Sequence, residues 1–226
     1  ANIFGQEANW NQYALTKMNL MLNGFKDSTF FWGDSLSNPK LTDDGGLKRF
    51  DIVASIPPFA DKWATEEAEF DRYGRFQYGI PPRSQATWAY ISHILASLKP
   101  NGRAVVVVPA GVLFRTSESK IRHQIIEHNL LETVIELPQN LFYGAAISTA
   151  ILVFRKDRKT TQTLFMDARK GYISNKGIYK LSDTMVEQLL NTYKGFLSGE
   201  QVWQENSCPA YIATQEEVRN NKYDWQ

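Results

Sequence analysis

Two consecutive prolines and an aromatic ring close the stretch Phe50-Asp51-Ile52-Val53-Ala54-Ser55-Ile56-Pro57-Pro58-Phe59. The run up to Ile56 is apolar and holds β-branched residues, which predicts a buried strand. Pro57 has no N–H to give a ladder and biases Ile56 toward extended geometry, so the chain must leave the sheet there. A rigid Pro-Pro-Phe loop at the carboxyl end of a buried strand is where α/β folds bind ligands. Other chemistries find little support. His93, His123 and His128 have no acid or cysteine at ligand spacing, so no metal site is indicated. Ser117 and Ser119 lack a nucleophile-elbow context. Cys208 stands alone, which gives neither a disulfide framework nor a zinc cluster and makes a reduced, cytoplasmic setting the default.

The elements that must position this loop follow in order. Asn2 to Gly5 reads as a short strand ending at Gln6-Glu7. A helix is predicted from about Asn9 to Asn23, with Ala14, Met18, Met21 and Phe25 at helical spacing and Gly24 as its stop. Thr29 to Trp32 is the next strand, closing on Gly33-Asp34, and Ser37 to Lys48 reads as a loop. The charged, aromatic segment from Lys62 to Arg83 has no clear period and reads as a long functional loop. A helix from Ser84 to Lys99 turns Trp88, Ile91, Leu95 and Leu98 to one side. Arg103 to Val108 is a buried strand, and Glu118 to His128 is a helix with Ile121 and Ile125 inward. The alternation then breaks. Strands at Leu131–Leu137 and Ile147–Phe154 are separated by too few residues for a helical crossover, so they should be antiparallel. Thr163 to Met166 adds an expected edge strand. Beyond Ser182 the pattern is helical, with Met185, Leu189 and Tyr193 in register and a polar, peripheral end.

Composition sets wide bounds. The chain has 226 residues, 43% hydrophobic and 22% charged, as a soluble globular protein would. A formal net charge of +1 gives no overall basic signature for nucleic acid but leaves room for a local patch. No apolar run approaches a membrane span, and no signal-peptide pattern opens the sequence. It begins on Ala1 rather than Met and runs almost at once into a strand, as a fragment or processed chain would.

Several short landmarks follow one another along the chain. They are Phe4-Gly5-Gln6-Glu7, Lys17-Met18-Asn19-Leu20 with Gly24, and Gly33-Asp34-Ser35-Leu36-Ser37-Asn38. Pro57-Pro58-Phe59, Phe76-Gln77-Tyr78-Gly79-Ile80-Pro81-Pro82 and Leu98-Lys99-Pro100-Asn101-Gly102-Arg103 follow. Gly111-Val112-Leu113-Phe114-Arg115 and Leu137-Pro138-Gln139-Asn140-Leu141-Phe142-Tyr143-Gly144 complete the set. Together the landmarks resemble the modification (methylase) subunit of type I restriction-modification systems, an N6-adenine DNA methyltransferase family. The resemblance implies an α/β, Rossmann-like, S-adenosylmethionine-dependent methyltransferase sheet with a terminal antiparallel hairpin. It divides the chain into a partial catalytic domain, residues 1–170, and a mainly helical C-terminal extension, residues 171–226.

The same resemblance assigns residues. Glu7 is expected to accept from the ribose hydroxyls of S-adenosylmethionine and Asp34 from its adenine amino group. The alternatives are a helix-start acid and a turn aspartate. Pro57, Pro58 and Phe59 shape the pocket for a target adenine extruded from the duplex, and Phe142 and Tyr143 approach that base. Lys62 and Arg83, with Arg72, Arg75 and Arg115, are expected at a phosphate-facing rim; Trp63, Phe76 and Tyr78 are further candidates for base contact. Double-stranded DNA, a specificity subunit and a restriction subunit are the implied partners. Two features depart from the family pattern. Ile56 occupies the position of the catalytic asparagine. The first strand with its glycine-rich, cofactor-cradling loop is not in the sequence and is expected upstream of Ala1. Binding of S-adenosylmethionine and catalysis by this chain alone are therefore doubtful, and a catalytically silent DNA-binding or assembly module is the alternative.

Overall fold

The computed structural model describes residues 2–142, 146–175, 178–199 and 208–225. Strand β1 (Phe4–Glu7) leads into helix α1 (Trp10–Leu22), capped by the Asn9 side chain, which accepts from the amides of Asn11 and Gln12. Strand β2 (Thr29–Trp32) pairs in parallel with β1, and Gly5 lies opposite Phe30. A Cβ at Gly5 would lie 2.0 Å from the Phe30 ring, so only glycine lets that ring cross the strand. The stretch read as a loop contains a small hairpin, β3 (Thr42–Asp43) and β4 (Gly46–Leu47), turned by Asp44 and Gly45 at positive φ.

Strand β5 (Phe50–Ser55) runs into the proline loop, the short helix α2 (Glu66–Glu69) and helix α3 (Thr87–Ala96). Strand β6 (Leu98–Pro109), helix α4 (Ser119–Glu127) and strands β7 (Leu131–Glu136), β8 (Thr149–Arg155) and β9 (Thr163–Asp167) follow. Strands β10 (Tyr172–Asn175) and β11 (Ile178–Leu181) form a separate hairpin before helix α5 (Asp183–Ser198), strand β12 (Ala210–Ala213) and helix α6 (Gln215–Asn220).

Six strands form the main sheet in the order β12-β9-β7-β8-β6-β5. β5 and β6 are parallel, while β8 runs antiparallel between β6 and β7, as the short gap before it requires. The α/β class read from the sequence is the one observed. The core lies where α3 and α4 cover this sheet: Trp88, Ile91, Leu95, Leu98, Ile121 and Ile125 are all buried.

Four expectations are corrected. β9 is interior rather than an edge, because β12 pairs outside it. The end of the chain is not peripheral: Trp225 is fully buried and meets Trp88 edge-on at 5.8 Å. Helix α1 buries none of its residues, and Met18 and Met21 face solvent. β5 is not a buried strand either. It is the last strand of its sheet, bonded only to β6, and Ile52 is 74% exposed. A parallel strand is buried by neighbours on both sides, and β5 has one. Across its open side a groove of about 520 Å³ separates it from β1, lined by Ile3, Phe4, Ile52, Val53, Tyr90 and His93. Phe4 and Phe50, the first residues of β1 and β5, have ring centroids 5.5 Å apart, and Leu36, after β2, packs with Trp63, after β5, so these strands start at one end and point the same way.

Candidate active site at the carboxyl edge of the sheet

Because β1, β2, β5 and β6 run in one direction, the segments leaving them collect along one edge. Glu7 ends β1. Its Oε1 accepts from the Asn9 amide at 2.7 Å, and its second oxygen has no partner among the described residues. Gly33 donates to the Glu7 carbonyl at 2.9 Å, which sets Asp34 beside it. Asp34 accepts from the Leu36 amide and the Ser37 hydroxyl, each at 2.9 Å. Both acids thus have the local roles of a helix-start acid and a turn aspartate. Each also keeps lone pairs for an outside donor, since a carboxylate offers about four acceptor sites. Two neighbouring carboxylates held by backbone, beside an open groove, suit a ligand with hydroxyl and amino donors. That chemistry fits the nucleoside part of S-adenosylmethionine.

From β5 the chain passes Ile56, which is 59% exposed and carries no polar atom, then the buried Pro57 and the exposed Pro58. The half-buried Phe59 meets Phe142 edge-on, with ring centroids 5.6 Å apart and planes at 85°. Residues 83 positions apart in sequence thus form one aromatic contact beside the proline loop. Tyr143 lies outside the described residues. Lys62 is exposed with no ion pair among the described residues, and the exposed Arg83 lies 3.7 Å from Glu66.

Other expected contacts are corrected. Arg75 is not on a rim: it is 4% exposed, pairs with Asp71 at 2.7 Å and donates to the carbonyls of Ser35 and Leu36. It therefore ties the long loop to the turn that carries Asp34. Arg115 turns back to Gln85 and Glu118. Trp63 is buried against Phe76, with its indole N–H donating to the Pro82 carbonyl, and Tyr78 is buried beside His128. Arg72 remains exposed and reaches the Tyr73 hydroxyl at 2.6 Å. Burial, with the Arg75 guanidinium nearby, pushes the His93 imidazole down to about 4, so the ring is neutral at pH 7. Sequence reading missed the Asp71–Arg75 tie, because both residues lie in a non-helical segment where a four-residue spacing carries no signal. It also missed the aromatic group of the exposed Trp10 and Trp32 with the half-buried Tyr13, in which Trp32 donates to the Ala8 carbonyl.

Comparison with known proteins points in one direction. The family model described as N-6 DNA Methylase matches residues 1–226. The chain is 31% identical to the type I restriction enzyme MjaVIII methylase subunit of Methanocaldococcus jannaschii, over 98% of its own length and 40% of that protein's. It is 28% identical to the type I restriction enzyme HindI methylase subunit of Haemophilus influenzae, over 98% of this chain and 50% of the relative. Among solved structures it resembles the type I restriction-modification system methyltransferase subunit from Streptococcus thermophilus, with TM-score 0.87 and 32% identity, covering 98% of this chain and 47% of that one. The chain spans about half, or less, of the length of these relatives.

Proposed function

Because the chain belongs to the N-6 DNA methylase family, we propose that it is part of a type I methylase subunit that transfers a methyl group from S-adenosylmethionine to N6 of adenine in double-stranded DNA. The observation that carries this reading is the Phe59–Phe142 contact beside Pro57 and Pro58, on the edge that also bears Glu7 and Asp34. A base cannot be methylated at its amino group within the stack, so it must be extruded and held by aromatic faces. Phe59 would stack on the adenine, with Phe142 and Tyr143 closing from the other loop. The Pro57 carbonyl would accept one N6 proton. Glu7 would hold the ribose hydroxyls of the cofactor and Asp34 its adenine amino group; when bound, the cofactor supplies the methyl group. Lys62 and Arg83 would face phosphate. A specificity subunit choosing the DNA site, a restriction subunit and a cytoplasmic location belong to the same reading.

Ile56 favours a second reading. A side-chain oxygen at this position would accept the other N6 proton and localise the nitrogen lone pair for attack, and isoleucine has none. One missing transition-state hydrogen bond costs about 3–4 kcal/mol, roughly a hundred- to a thousand-fold in rate. The chain would then serve a catalytically silent DNA-binding or assembly module. Methyl transfer from labelled S-adenosylmethionine, measured on the complete subunit in its assembled complex, separates the two. The enzyme reading expects the Ile56→Asn variant to exceed the Ile56 protein by about a hundred-fold or more. If both bind cofactor and DNA but neither transfers methyl, the enzyme reading fails and the silent module stands.

A further inference from the structure

The loop that brings Phe142 to Phe59 has a second lining role. Through Leu137, Gln139 and Asn140 it borders a cavity of about 370 Å³ whose other walls are Ser148, Arg169, Tyr172 and Tyr179. The two tyrosines belong to the β10–β11 hairpin. Tyr172 pairs with Leu181 and Ser174 with Tyr179, so the tyrosines are diagonal neighbours on one face, with ring centroids 4.8 Å apart. Tyr172 is 43% exposed. Opposite them stand two amides. Gln139 donates from Nε2 to the Ser148 hydroxyl, which leaves its carbonyl oxygen as an acceptor. Asn140 is held at φ +60, and neither its amide nor either tyrosine hydroxyl has a hydrogen-bond partner among the described residues. Arg169 is already occupied by Asp167 at 2.7 Å and Glu136 at 3.5 Å, so it presents a neutralised, planar group rather than a free phosphate ligand.

Two tyrosine rings that share a cavity with the Asn140 amide and the Gln139 carbonyl oxygen are equipment for holding a planar heterocycle: rings stack on its face while amides bond its edge. The cavity lies within the size range of ligand pockets. We propose that it holds a second, unstacked nucleotide of the substrate DNA, neighbouring the extruded adenine. This rests on the DNA methylase reading above. Extruding one base leaves its neighbours without a stacking partner, and Tyr172 supplies one. Asn140 and Gln139 bond the edge of that neighbour, and the loop through Leu141 couples its capture to the placement of Phe142.

The test uses the complete methylase subunit in its assembled complex and duplexes carrying 2-aminopurine at one position at a time around the target adenine. The proposal expects fluorescence to rise on binding at the target position and at one neighbouring position. In the Tyr172→Ala and Asn140→Ala variants the neighbour's signal is lost while the target's persists. KM for DNA in Tyr172→Ala rises about tenfold with the effect falling on KM rather than kcat, as loss of one stacked base predicts. Tyr172→Phe, which keeps the ring, recovers most of the affinity. Unchanged S-adenosylmethionine affinity in each variant shows that the fold is retained. A target signal with no neighbouring signal overturns the proposal and leaves the methylase reading intact, as does a wild-type KM in Tyr172→Ala. A wild-type protein that neither extrudes nor methylates adenine overturns both.

Discussion

Arg75 shows how much of the candidate site's geometry rests on a residue outside it. Its guanidinium satisfies Asp71 and two carbonyls of the turn bearing Asp34, and both partners of the ion pair are 4% exposed. Removing one partner of a buried pair strands the other's charge, at a cost of about 3–5 kcal/mol. Arg75→Ala is therefore expected to lower the midpoint of chemical denaturation and, on the proposed role of Asp34, to weaken cofactor binding through the freed turn. Arg75→Lys should recover only part of either, since an ammonium cannot reproduce the planar fork. The sequence showed an arginine in a charged, aromatic loop, and a rim position was the natural expectation. What it could not show is that Leu36, after β2, packs with Trp63 of that loop and with Ala86 and Ala89, a contact that joins segments far apart in the chain. Ile56, Pro57 and Phe59 were legible as a group since their character lies in local backbone chemistry. Their aromatic counterpart Phe142 was legible only through the ordered resemblance.

Among the elements, α3 was read well and the chain's last turn was not. Trp88, Ile91 and Leu95 repeat at helical spacing, and all are buried as that spacing predicts. Trp225 has no periodic partners, so nothing local marks it as a core residue. Yet it is fully buried, packs on Trp88, and its amide donates to the Leu113 carbonyl at 3.1 Å. Nearby, Arg122 donates to the carbonyls of Tyr223, Val112 and Arg115, which fixes the same turn to α4. Trp225→Ala is expected to destabilise the protein by about 3–5 kcal/mol, the range for losing a large buried aromatic. Urea denaturation followed by circular dichroism would read the loss, and a change below about 1 kcal/mol would mean that this turn contributes little.

For the whole molecule, the order of strands and helices was legible because it rests on hydrophobic period and gap length. The exposure of β5 is set by its neighbours rather than by its own composition, and only the resemblance, which lacks a central strand here, implied such a hole in the sheet. The groove beside β5 separates the sheet into two unequal parts. On one side stand β1, α1 and β2, with no buried residue in the helix and a single strand pairing. On the other stand six strands with the main core, including β6, whose Leu98, Ala104, Val106 and Val108 are fully buried. Cooperative units with few buried contacts open at free energies far below that of global unfolding. Amide hydrogens of β1, α1 and β2 are thus expected to exchange through local opening, at rates at least about a hundred-fold above those of β6 and β8. Equal protection in both parts would refute the division. Glu7 rides on the weaker part, while the turn that carries Asp34 is also tied through Leu36 and Arg75 to the stronger one. If that part opens as expected, a nucleoside held by Glu7 would bind its closed form alone, and the measured affinity would be the intrinsic affinity scaled by the closed fraction. A cofactor there would act as a folding ligand: saturating it should slow exchange in β1, α1 and β2 while leaving β6 and β8 as they were.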